Sequence, residues 1–215
     1  MHLNQQAFIW FGCLIAAVIP HEISHGVVAL WLGDDTAKRA GRLTLNPIPH
    51  IDPFGSIIMP LLGAITGLPF IAWAKPVPVN PQRLRNPRRD MLFVGLAGPT
   101  TNFLMMLASA LVARSLLARA HLQGVVTLDS LSLGFQLALS FALVNLFLGL
   151  FNLLPIPPLD GSSLIERVLP QSWLPGWYKF RPYGFLVLFV LVFSTGFLTR
   201  IITPFEDALV RFIQR

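Results

Sequence analysis

Charge is scarce in this chain of 215 residues. Its 16 Lys and Arg and 10 Asp and Glu make up 12% of the sequence, against about 25% in an ordinary soluble domain. Cysteine is scarcer still: Cys13 stands alone inside an apolar run, which excludes an internal disulfide and a cysteine-based metal site. Apolar residues fill 54% of the chain at a mean hydropathy of +0.65. One core of this size cannot hide so much apolar surface, which argues against a soluble monomer. The same numbers exclude intrinsic disorder, which needs low hydrophobicity and high charge. Internal repeats, low-complexity tracts and a soluble domain are also lacking. The composition leaves an all-α polytopic membrane protein, a single membrane-embedded domain over 1–215 with about four to six transmembrane helices.

The net charge of +6 falls in the connections between apolar runs. Anionic lipid headgroups and the positive-inside rule account for it, so the expected partner is the bilayer and not nucleic acid. The runs 8–32, 91–113, 131–154 and 184–203 are each long enough to cross about 30 Å of hydrocarbon. The first is no signal peptide, because it lacks a basic start and a small-residue cleavage site and carries His21, Glu22 and His25. A weaker run, 54–74, contains Pro60, Gly63, Gly67 and Pro69. Lys38, Arg39 and Arg42 precede it and Lys75, Arg83, Arg85, Arg88 and Arg89 follow it, so both flanks read as cytoplasmic. A re-entrant or hairpin element satisfies them better than a single crossing. The first helix then runs outside to inside, and the last ends outside with Arg200, Arg211 and Arg215, unless the C-terminal segment is interfacial.

Ionisable groups at membrane depth are functional candidates by default, since one at a helix centre costs at least about 2.5 kcal/mol on insertion scales. His21, Glu22, Ile23, Ser24 and His25 spell H-E-x-x-H. Imidazoles four residues apart share a helix face and can hold one zinc ion, with the adjacent carboxylate in reach of a metal-bound water. Zinc brings that water's pKa towards 7, and the carboxylate takes its proton as hydroxide attacks a carbonyl. The bland alternative is a polar cluster for helix packing. A catalytic site needs a third ligand. Asp34 and Asp35 sit beyond the helix end, and Asp90, Asp129, Glu206 and Asp207 lie at loop or terminal positions. Asp160 ends the apolar stretch from Asn152 in which Pro155, Pro157 and Pro158 break the helix. Gly161 behind it permits a tight turn that aims the carboxylate inward.

With these motifs in this order, the chain resembles the site-2 protease family of polytopic zinc metalloproteases. The likeness rests on His21-Glu22-Ile23-Ser24-His25, on Gly98-Pro99-Thr100-Thr101-Asn102, and on the stretch from Asn152 to the Leu159-Asp160-Gly161 element. The segments from Asn46 to Pro53 and from Trp73 to Asn80 are similar to those of a compact subgroup without PDZ or CBS modules, and the catalytic core covers about 7–167, with a C-terminal transmembrane helix at about 184–203. The resemblance implies that His21, His25 and Asp160 ligate one zinc ion, that Glu22 is the catalytic base, and that Asn152 holds substrate backbone or the developing oxyanion. Asn102 carries the same expectation against a helix-packing role, and His50 that of a proton-transfer or zinc-supporting group against a loop hydrogen-bonder. Only twenty residues precede His21, where larger subgroups have an extra helix. Ser162 replaces a commoner second glycine, and the turn is expected to survive it.

The implied activity is hydrolysis of peptide bonds in or near transmembrane segments of other proteins, in a prokaryotic cell membrane. His21 lies about 17 Å along the helix axis from Leu32, which calls for a polar channel from the cytoplasmic side. One rival is a prenyl-protein-type membrane protease, whose third ligand is a downstream helical glutamate; Glu166 and Glu206 offer no such motif. Another is a non-proteolytic metal-binding or metal-transport protein, which needs successive sites where this chain has one concentration.

Overall fold

A computed structural model describes residues 5–58, 74–122, 132–194 and 196–215, and every regular element among them is helical. Three helices are long and apolar enough to cross a membrane: α1, Gln5–Trp31, and, after the short α2, Thr36–Arg39, the helices α3, Pro87–Leu122, and α4, Leu133–Asn152. They correspond to the expected runs 8–32, 91–113 and 131–154. α3 begins earlier because Pro87 is preset for a first helical turn, and Asp90 reaches back to accept from Asn86 N at 2.8 Å. α4 starts where the Ser132 hydroxyl accepts from Phe135 N at 3.3 Å.

The three helices pack on one another through small side chains. Ala110 and Ala113 of α3 meet Ala138 and Ala142 of α4, and Cys13 and Ala17 of α1 meet Val144 and Leu148 of α4. Small residues let backbones approach, which is the main attraction left to helices in lipid. The outer faces carry large exposed apolar side chains such as Phe8, Phe93, Leu104 and Leu111, as a bilayer solvent demands.

Beyond α4 come α5, Ser162–Val168, α6, Leu174–Phe180, α7, Gly184–Ser194, and α8, Phe197–Gln214. The single helix expected over 184–203 is instead divided. Gly196 takes a left-handed φ of 60° between α7 and α8, and the chain bends there by 68°. α8 is amphipathic. Ile202, Leu209 and Ile213 are buried while Arg200, Asp207 and Arg211 are exposed, and Leu209 and Ile213 complete the core of α3 and α4.

Residues 59–73 lie outside the described ones, and with them most of the element expected over 54–74. Its flanks are described and they meet: Lys75 N donates to His50 O at 2.9 Å. The basic connections gather at the same end of the molecule, where Arg85 N donates to Leu32 O at 3.1 Å and Arg83 pairs with Asp35.

Candidate metal centre

His21 and His25 lie one turn apart on α1, directly after Pro20, and both are buried. α4 ends at Asn152, after which Leu153–Gly161 turns back tightly enough for Gly161 N to donate to Asn152 O at 2.7 Å. Asp160 is thereby brought to the two histidines. Its Oδ2 lies 3.2 Å from His21 Nε2 and 3.3 Å from His25 Nε2, and the two Nε2 atoms are 3.2 Å apart. Among the described residues this is the one His, Cys, Asp or Glu group able to hold a metal.

The outward nitrogens fix what the inward ones carry. His25 Nδ1 lies 2.6 Å from the Val94 carbonyl, which can only accept, so Nδ1 bears the proton, and in the neutral ring Nε2 is left with a lone pair. His21 Nδ1 lies 2.5 Å from Asn102 Oδ1, which places its proton likewise so long as the amide keeps its oxygen towards the ring. Asp160 Oδ2 is buried with no hydrogen-bond partner. His21 Nε2, His25 Nε2 and Asp160 Oδ2 converge within 3.3 Å, and with both rings neutral they offer three lone pairs to one cation. The spacing fits zinc, because donors at about 2.0–2.1 Å in a tetrahedron stand about 3.3 Å apart.

Two glycines of α3 make room for this. A Cβ on Gly98 would come within 2.6 Å of both Nε2 atoms, and one on Gly95 within 3.0 Å of the Asp160 carbonyl. Gly161 is required for space as well: its φ is −60°, an ordinary value, but a Cβ there would collide with the Leu153 carbonyl. The freedom of backbone expected of it is not what the turn uses. Ser162 simply opens α5, and the turn survives it.

Glu22 is half-buried on the neighbouring face of α1, and its Oε2 accepts from Val77 N at 2.8 Å. Val77 belongs to an extended arm between Pro76 and Pro78 that is also tied by Arg42 Nη2 to Lys75 O at 2.6 Å and by Asn80 N to Asp34 Oδ2 at 2.6 Å. Asn152 lies beside the turn, its Nδ2 donating to Leu148 O at 3.0 Å. Asn102 is fully buried between His21 and Asn145. His50 is not part of the cluster; its Nε2 meets Thr44 O at 2.9 Å and its carbonyl holds Lys75, the role of a loop hydrogen-bonder.

A model of peptidase family M50 matches residues 118–193, which include the turn to Asp160. The chain is 39% identical over 196 residues to a Bacillus subtilis (strain 168) protein named "Putative zinc metalloprotease YwhC", covering 91% of this chain and 84% of that one. The chain belongs to peptidase family M50. It is also 30% identical over 175 residues to "Putative zinc metalloprotease Rip2" of Mycolicibacterium smegmatis, across 81% of this chain and 62% of the relative. To "Zinc metalloprotease MJ0392" of Methanocaldococcus jannaschii it is 28% identical over 173 residues, across 80% and 38%. No solved structure matches it. The M50 peptidase thus has residues that sequence reasoning passed over, Asn145, Val94 and Gly95, and Val77, within the stretch from Trp73 to Asn80, gains a partner in Glu22. Asn145 alone left a signal, as an amide in the middle of an apolar run.

Proposed function

We propose that this M50 peptidase is a zinc metalloprotease that cuts peptide bonds in or beside membrane-spanning segments of other proteins, with His21, His25 and Asp160 as its zinc ligands and Glu22 as its general base. The observation that carries the reading is the convergence of His21 Nε2, His25 Nε2 and Asp160 Oδ2 within 3.3 Å. Zinc held there supplies a Lewis acid that polarises a peptide carbonyl and acidifies water. Glu22 takes the proton of the attacking water and returns it to the leaving nitrogen. With Oε2 engaged by Val77 N–H, Oε1 is the oxygen that moves the proton.

Of the amides beside the centre, Asn152 is the one suited to hold substrate, since it is partly exposed and keeps a second amide hydrogen. A substrate helix hides its carbonyls, so a stretch of it unwinds before cleavage and adds as a strand beside the turn 153–160 or the extended arm 75–80. The hydrogen bond from Lys75 N to His50 O supports the reading that both flanks of the segment 54–74 lie on one side of the membrane. The centre opens towards the cytoplasm, as the basic connections gathered at the C-terminal end of α1 indicate.

The test is reconstitution of purified protein with a transmembrane model substrate. Glu22→Gln is expected to keep zinc and lose cleavage, and Asp160→Ala to lose both. Cleavage retained in Glu22→Gln overturns the assignment of the base, and full zinc occupancy in Asp160→Ala removes Asp160 from the ligands.

A further inference from the structure

A carboxamide is nearly symmetric in shape and can turn either its oxygen or its NH2 group to the same neighbour. The polarity of the bond between Asn102 and His21 therefore has to be set from outside. Were the NH2 group to face His21, Nδ1 would be the acceptor and the proton would sit on Nε2. It would then point into the cluster and remove the lone pair a metal needs. Asn102 does not decide this alone. Its Nδ2 donates to Asn145 Oδ1 at 2.8 Å, and Asn145 is a second carboxamide with the same ambiguity. The ambiguity ends one step further, where Asn145 Nδ2 donates to the Phe141 carbonyl at 2.9 Å. A backbone carbonyl only accepts. From that end each group's role follows: Asn145 presents its oxygen to Asn102, Asn102 presents its oxygen to His21, and His21 carries its proton on Nδ1. Both amides are fully buried, at 0% exposure, so bulk solvent reaches neither of them.

We propose that Asn145 is a positioning residue for the protease: acting through Asn102, it fixes the tautomer of His21 by reference to the Phe141 carbonyl. The inference rests on His21 being a zinc ligand, as proposed above. His25 takes its reference directly from the Val94 carbonyl of α3. His21 takes it from α4, through two amides. The helix that ends in the turn to Asp160 thus also sets the state of a histidine on α1.

The test is a double-mutant cycle on zinc affinity, measured in the full-length protein in detergent by competition with a chromophoric chelator. Asn145→Leu keeps the branched shape and deletes the relay; Asn145→Ala serves if the leucine variant does not yield monodisperse protein. The expected result is a loss of about 10- to 100-fold in zinc affinity. Asn102→Leu combined with the Asn145 variant should bind no more weakly than Asn102→Leu alone, because Asn145 acts only through Asn102. The visible spectrum of the cobalt(II)-loaded protein should change in the Asn145 variant. In Leu146→Ala, which disturbs packing on the same helix, it should stay as in the wild type while the melting temperature falls. An Asn145 variant that folds and binds zinc within twofold of wild type overturns the positioning role, as do losses that simply add to those of Asn102→Leu. Wild-type zinc affinity in His21→Ala overturns the ligand assignment itself, and the positioning role with it.

Discussion

One methyl group separates a glycine that shapes the centre from one that does not. Gly98 and Gly12 both lie on membrane helices, but a Cβ on Gly98 would stand 2.6 Å from both Nε2 atoms, whereas nothing lies within 4 Å of one on Gly12. Gly98→Ala should therefore push the histidines apart, lower zinc occupancy and cleavage by tenfold or more, and cost about 1–3 kcal/mol as an overpacked site. Gly12→Ala should leave zinc unchanged and raise helix stability by about 1 kcal/mol. Metal content of the purified variants and their melting temperatures decide it; a fully loaded Gly98→Ala protein would show that the histidines have slack. The Gly98-Pro99 pair reads in sequence as a place of close packing. What packs there is not legible, because the partners are imidazoles from a helix that lies far away in the chain.

At the scale of elements, the extended arm 75–80 hangs from α1 and the turn after it by two carboxylates, Glu22 and Asp34. Asp34 is fully buried. Burial alone would raise its pKa, but hydrogen bonds from Thr36 and from the Asn80 N–H, helped by the charge of Arg83, hold it below the usual carboxylate range. A carboxyl depressed on folding stabilises the protein above its unfolded pKa, about 3.9, and that contribution fades as pH falls through the lower folded value. Asp34→Ala should lower stability by about 1–3 kcal/mol by leaving the part-buried Asn80 and Thr36 donors without their acceptor. The difference in melting temperature from wild type should be constant between about pH 5 and 7 and shrink below about pH 4. A difference that does not change with pH means that the charge of Asp34 contributes nothing. The H-E-x-x-H helix, α3 and α4 were legible because hydropathy and the spacing of two histidines are local signals. The arm's task was not, since the contact from Val77 to Glu22 depends on how two prolines extend the chain across α1. The break at Gly196 was hidden in a run apolar enough to read as one helix.

For the whole molecule, the candidate zinc ligands tie the first membrane helix to the turn that ends α4, with α3 between them. α8 ties α3 to α4 at the other end. The two ends stand apart: from Gly98 to Ala113 is about 22 Å along α3 at 1.5 Å per residue. Zinc bound only by the folded state adds about 2.7 kcal/mol of stability at a free concentration of 100 times its Kd, so chelation should lower the melting temperature in detergent, and His21→Ala should abolish the zinc-dependent part. Deleting 197–215 removes the buried side chains of Ile202, Leu209 and Ile213, each contributing about 1.5–3 kcal/mol. It also removes the Phe212 carbonyl that accepts from Arg114 Nη1 at 3.2 Å. The truncated protein should melt at a lower temperature with or without zinc, yet gain the same increment when zinc is added, because α8 packs on α3 and α4 around Ala110, Ala113 and Ala142, toward the other end of those helices. Loss of that increment on truncation would mean that the packing of α3 against α4 reaches the centre. Asn145 is the residue through which it would do so, since it sits on α4 between Ala142 and Leu146 of the α8-covered core and bonds to Asn102 beside His21.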